Sequence, residues 1–233
     1  MHWQSIPVSV TRNRRARKVW LRMRAGSGLE VVLPYRVSAA DVPAILDGHR
    51  QWILARFADL AARNEAPGQD PLPRLIRLPF CDRTYHVCRD MGARTELRAG
   101  EGVLQLRLPP GAEMGGISLL QRWLVDQGKR WLVPVFRDLA GHHDVEVSKV
   151  QIRNQITCWG SCSPSSCISL NAKLLFLPPD VVRHVILHEF CHVLHRNHGS
   201  KFKARLRGLN PMSDQHEVFL RKAWDMVPGW SKM

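Results

Sequence analysis

The sequence predicts an α+β fold, and three observations carry that expectation. Short alternating apolar stretches read as strands in two places, around residues 17–33 and 75–108. Longer stretches with apolar residues at helical spacing lie outside them, over 117–139 and 180–196. One of those helices carries the string His188-Glu189-Phe190-Cys191-His192, which needs a helix to make chemical sense.

From the N-terminus, residues 17–24 set Val19, Leu21 and Met23 against Lys18, Arg22 and Arg24, with Trp20 as the exception. Strict alternation of this kind is a strand signal. Gly26-Ser27-Gly28 turns the chain, and Leu29 to Leu33 pairs back to give a hairpin with a basic face. Ser38 caps a helix of about 25 residues, with Val42, Ile45, Leu46, Ile53, Leu54, Phe57 and Leu60 at helical spacing. Residues 66–73, rich in Pro and Gly, read as a loop or linker. Strands near 75–79, 83–89, 94–98 and 103–108 end at Pro109-Pro110-Gly111. The helix over 117–139 contains Pro134, an expected kink. A strand over 145–154, a short one at 167–170, and small helices near 200–208 and 214–225 complete the reading. The expected division is an N-terminal basic α+β region, 1–110, and a metal-binding catalytic domain, 111–233.

Composition narrows the class. The chain has 233 residues and is 45% hydrophobic, enough for a sizeable core. It contains no long apolar run and no apolar leader at its N-terminus, so a cytoplasmic location without membrane insertion is expected. The six cysteines (Cys81, Cys88, Cys158, Cys162, Cys167, Cys191) suit a reducing compartment, and their spacing is not that of a zinc ribbon. A net charge of +14 favours anionic partners. Arg12, Arg14, Arg15, Arg17, Lys18, Arg22 and Arg24 form one basic group, and Arg196, Lys201, Lys203, Arg205 and Arg207 a second.

The metal-binding string has a definite geometry. Histidines four apart on a helix point the same way, so His188 and His192 can hold one divalent ion. Glu189 stands beside them as a candidate general base. Pro178-Pro179-Asp180 starts the helix, and Asn197 and Gly199 stop it. His195 shares the face of His188. At about 1.5 Å rise per residue, however, it lies roughly 10 Å along the axis, too far for ligands that bind zinc at about 2 Å. A chain that leaves the helix near Asn197 and turns back brings His198 to the ion instead. His188, His192 and His198 with one Zn²⁺ are therefore the expected metal set.

Upstream stands Trp159-Gly160-Ser161-Cys162-Ser163, followed by Ile168-Ser169-Leu170-Asn171 and Pro178. With His188-Glu189 and Asn197-His198, this ordered set resembles the YgjP-like metallopeptidase family, related to SprT and WLM zinc-protease-like domains. The resemblance covers most of the chain and is most specific over 145–210. It implies a small zincin-like domain, a short sheet packed on the H-E-x-x-H helix, after an N-terminal basic hairpin and helix region. It implies metal ligation by His188, His192 and His198, catalysis by Glu189, and a cleft near the W-G-S-C turn and the 168–171 strand. Two features depart from the family pattern: Cys158 stands where a basic residue is usual, and the segment after His198 lacks a Trp.

The expected reaction is zinc-dependent peptide hydrolysis by metal-activated water, with Glu189 as base. Trp159, Asn171 and Arg153 are candidate substrate-binding residues. Arg153, Asn171 and His216 are candidates for stabilising the oxyanion. In the zincin pattern, substrate adds as a strand along the sheet edge, here expected at Ile168–Asn171. A second reading is a metal-dependent nucleoside triphosphate pyrophosphatase, because the resemblance does not fix the bond cleaved. No carboxylate cluster for Mg²⁺ and no phosphate loop followed by Lys-Ser/Thr supports it in the sequence. A third is a nucleic-acid-associated protease whose basic hairpin binds DNA, with Trp20 stacking on a base.

Overall fold

The computed structural model describes residues 2–4, 6–14, 16–24, 28–62 and 71–233. The Gly26-Ser27 turn, Arg15, residues 66–70 of the expected linker, and the side chains of Arg24 and Leu60 lie outside them. The chain forms two compact units, Met1–Pro73 and Arg74–Lys232.

In the first unit, β1 (His2–Trp3), β2 (Ile6–Arg12), β3 (Trp20–Arg24) and β4 (Gly28–Leu33) form a sheet of order β1-β2-β4-β3. β4 runs parallel to β2 and antiparallel to β3, with Trp20 opposite Val32 and Met23 opposite Leu29. Its alternate residues Leu29, Val31 and Leu33 are buried, packed with Ile6, Val8, Val42, Leu46 and Ile53. β2 is absent from the sequence reading, because Pro7 and the polar run from Ser9 mask its alternation. The expected single helix after Ser38 is divided. Ser38 caps a 3-10 turn, Ala39–Asp41, which leads into α1 (Val42–Gly48) and then α2 (Arg50–Ala62). Gly48 weakens helix propensity at the break, where the His49 ring bonds back to the Ile45 carbonyl at 2.9 Å.

The second unit begins with β5 (Leu75–Leu78), β6 (Arg83–Met91), β7 (Glu96–Ala99) and β8 (Val103–Leu108), in the order β5-β6-β8-β7. α3 (Glu113–His142) follows as one helix that includes Pro134. α3 packs on this sheet at Gly116, where an added Cβ would lie 3.1 Å from Leu106 and 3.2 Å from Leu108. That packing joins residues 75–108 to the second unit, so the division falls after Pro73 rather than at 110/111.

β9 (Lys149–Arg153), β10 (Gly160–Cys162) and β11 (Cys167–Asn171) make a three-stranded sheet of order β10-β11-β9. β11 is central, parallel to β9 and antiparallel to β10. The expected sheet edge at 168–171 is thus an interior strand. The edge beside the site is β10, too short and too polar to be read as a strand. α4 (Pro179–Leu194) starts with Pro179 in its first turn and buries Val181, Val182, Val185, Ile186, Phe190 and Cys191. α5 (Ser200–Leu209) and α6 (Ser213–Ala223) pack against it. Among the described residues no helix is long and apolar enough to cross a membrane.

Candidate metal centre

α4 presents His188 and His192 one turn apart, with ring centroids 5.0 Å apart. The helix ends at His195, whose extended backbone sends the chain back over the Asn197-His198-Gly199 link to α5. This return brings His198 Nε2 to 3.0 Å from His188 Nε2. The coordinating atoms of His188, His192 and His198 all lie within 4.8 Å of one another. Two imidazole nitrogens sharing a zinc ion at about 2 Å stand roughly 3.3 Å apart in a tetrahedral shell. The donor set therefore fits a divalent ion. His195 contributes its carbonyl rather than its ring.

Hydrogen bonds fix which nitrogen of each helical imidazole faces the ion. His192 Nδ1 bonds the His195 carbonyl at 3.1 Å, so it carries the proton and leaves Nε2 free. His188 Nδ1 lies 3.1 Å from Glu217 Oε1 on α6 and likewise donates. The same oxygen accepts from His184 Nε2 at 3.3 Å. Asn210 holds that tautomer, because its Oδ1 accepts from Met212 N while its Nδ2 donates to Nδ1 of both His184 and His216. The two imidazole hydrogen bonds hold Glu217 well below the usual carboxylate range. A carboxylate–imidazole pair of this kind orients a metal ligand and raises its basicity. Burial lowers the pKa of both His192 and His198 and favours the neutral, ligating form. Phe202 on α5 packs against all three rings, with centroids 4.9, 4.7 and 4.7 Å away.

Glu189 is 5% exposed. Burial pushes its carboxyl up to about 7, against a smaller lowering by His188. Its Oε2 has no hydrogen-bond partner, an open acceptor in a buried place. The W-G-S-C segment sets its position by steric fit. A Cβ on Gly160 would meet Glu189 Oε1 at 2.6 Å and Cγ at 2.9 Å, so only glycine lets β10 lie against this side chain.

Two clefts flank the histidines. One, of about 380 Å³, is lined by Glu189, His188, Cys158, Trp159 and Trp224 among others. Trp159 stacks on Trp224 at 4.2 Å and forms an apolar wall. The other, of about 560 Å³, lies on the His198 side and includes Lys203, Arg207 and Phe202. Arg221, one turn after Glu217, lines both.

The other candidate residues stand elsewhere. Asn171 is fully buried: its Nδ2 donates to the Gln155 and Cys158 carbonyls at 2.9 and 2.8 Å, and its Oδ1 accepts from Lys173 N. It staples the loop that leads into Trp159 and has no free atom for a substrate. Arg153 is exposed, bonds Gln151 and lines neither cleft. His216 is tied to Asn210 and also lines neither cleft.

Sequence reasoning did not find Glu217, Phe202 or Arg221, which come from separate helices with no motif of their own. His184 did leave a signal, since it extends the four-residue spacing of His188 and His192 by one turn. Cys158 and Cys162 have thiols pushed up by burial and then by Glu189. Cys191 is buried and raised to about 11, as befits a core thiol.

A family model described as YgjP-like, metallopeptidase domain, matches residues 17–223. No curated protein matches the chain. A solved structure, the metallopeptidase zymogen of Methanocaldococcus jannaschii jannalysin, is similar over 39% of this chain and 94% of its own, at 20% identity and a TM-score of 0.35. Neither comparison lends support to a nucleic-acid partner.

Proposed function

The chain belongs to the YgjP-like family, whose matched region is a metallopeptidase domain; beyond a metal-dependent peptidase in general, we propose a zinc peptidase with Glu189 as general base. His188, His192 and His198 hold one zinc ion. The observation that carries this reading is the convergence of three imidazoles beside a buried carboxyl with an unpartnered oxygen.

When bound, the ion supplies Lewis-acid polarisation of the scissile carbonyl and brings the pKa of an activated water to about 7. Glu189 Oε2 takes the proton of the attacking water. It then delivers that proton to the leaving amine nitrogen, the ordinary reversal of a base into an acid. A resting pKa near 7 suits both halves of that cycle. The substrate backbone adds as a strand to the free edge of β10, which lies against Glu189. Trp159 and Trp224 take an apolar side chain. Arg221 replaces Arg153, Asn171 and His216 as the residue positioned to stabilise developing negative charge.

One observation favours a second reading, hydrolysis of a nucleoside triphosphate. Lys203 and Arg221 line the His198-side cleft without a carboxylate partner among the described residues, whereas Arg207 is paired with Asp214 at 3.1 Å. A paired assay separates the two. Zinc-loaded protein is offered an unfolded-protein pool and a nucleoside triphosphate panel, beside Glu189→Gln. The expected result is peptide cleavage that the variant lacks. Pyrophosphate or phosphate release lost in the variant, without peptide cleavage, would replace the peptidase reading. Absence of stoichiometric metal would sink both.

A further inference from the structure

Elsewhere in the second unit is a cavity of about 540 Å³ that shares no lining residue with either metal-side cleft. It opens between the start of β6, the β7–β8 turn and one stripe of α3. That stripe bears Trp123, Gln127 and Trp131 at four-residue spacing, which places them on one helix face. Each presents a buried polar atom with no hydrogen-bond partner: Trp123 Nε1, Gln127 Oε1 and Trp131 Nε1. Trp123 is only 6% exposed. Buried polar groups are nearly always paired. Three unpaired groups on one stripe, all lining one cavity, mark a place where a ligand supplies the partners.

The cavity also carries positive charge. The Arg83 and Arg130 guanidiniums lie 5.7 and 5.4 Å from the Trp131 ring centroid, a cation–π arrangement that holds both near the indole. Neither is paired with a carboxylate among the described residues, although Asp82 and Glu101 line the same cavity. The site thus offers two indole N–H donors, two guanidiniums and one amide oxygen that needs a donor.

We propose that this cavity binds a phosphate group, as free hydrogen phosphate or as the monoester of a small molecule. Phosphate oxygens accept from the indoles and the arginines, and a P–OH or a hydroxyl of the attached molecule donates to Gln127 Oε1. A bare carboxylate would leave that oxygen unpaired. The site is independent of the metal centre and of the reaction assigned to it.

The test uses the full chain labelled for ¹H–¹⁵N spectroscopy. The indole N–H signals of Trp123 and Trp131 are assigned with Trp123→Phe and Trp131→Phe, and inorganic phosphate and adenosine monophosphate are the probes. Both signals are expected to move saturably, and equally in Glu189→Gln, while those of Trp159 and Trp224 stay in place. Affinity should fall about tenfold or more in the Arg83→Gln/Arg130→Gln double variant, as loss of a charge-assisted contact predicts. Gln127→Leu provides a second, uncharged test of the same cavity. Tighter binding of the monophosphate identifies a monoester ligand, and equal or weaker binding identifies free phosphate. Signals unmoved by either probe, or moved to the same extent in the arginine and Gln127 variants, would overturn the proposal.

Discussion

Glu189 joins buried carboxyl and reactive base in one side chain, and its titration has a sign that can be worked out. Its folded-state pKa of about 7 lies above the ordinary 4.5. The folded, metal-free chain therefore holds this proton more tightly than the unfolded chain does. The associated stability is present below about 4.5 and is lost as pH rises through 7. Metal-free Glu189→Gln is expected to be more stable than the wild type at pH 8 by roughly 1–3 kcal/mol, with the difference shrinking toward pH 5. Urea unfolding at the two pH values measures this. Gly160 gives a second expectation at the same scale. The methyl of Gly160→Ala would collide with Glu189 Oε1 at 2.6 Å. A displacement of that kind lowers kcat by up to roughly 10²-fold, with metal stoichiometry unchanged, as steady-state kinetics and metal analysis would reveal. His188, Glu189 and His192 were legible because one helix spaces them. Gly160 was legible as part of a motif, but its contact with Glu189 was not, because it joins β10 to a helix 29 residues away.

Elements decide how the ligands are held. α4 supplies two imidazoles, the return of the chain into α5 supplies the third, and α6 supplies the carboxylate behind His188. Glu217→Ala is expected to weaken metal binding about 10–100-fold, measured by chelator competition. Glu217→Gln should lose less, because an amide oxygen can still accept from His188 Nδ1. Helix α4 could be read from its apolar spacing and proline start. The place of β11 could not. Strand order depends on which segments pair across a sheet, and the three-residue β10 has no periodicity to announce it. The same limit explains Asn171. A polar residue at a strand end reads as accessible until three backbone partners are seen to surround its amide.

At the scale of the whole molecule, the centre ties α4, α5 and α6 into one assembly, so a bound ion stabilises the folded chain alone. An ion present at 100 times its dissociation constant contributes about 2.7 kcal/mol. Chelation should therefore lower Tm by roughly 5–10 °C for a chain of this size, as calorimetry with and without chelator would measure, and re-addition of zinc should restore it. The sequence by itself determined the α+β class, the helix that bears the metal motif, and the choice of His198 over His195. Each follows from short-range spacing and from the fixed rise of a helix. Only the tertiary structure decided that β10 rather than β11 is the free edge, that Glu217 sets the His188 tautomer, that Arg221 replaces Asn171 and Arg153 beside the clefts, and that residues 75–108 join the second unit. Those facts are contacts between segments far apart in the chain. Packing selects such contacts, and local pattern does not encode them.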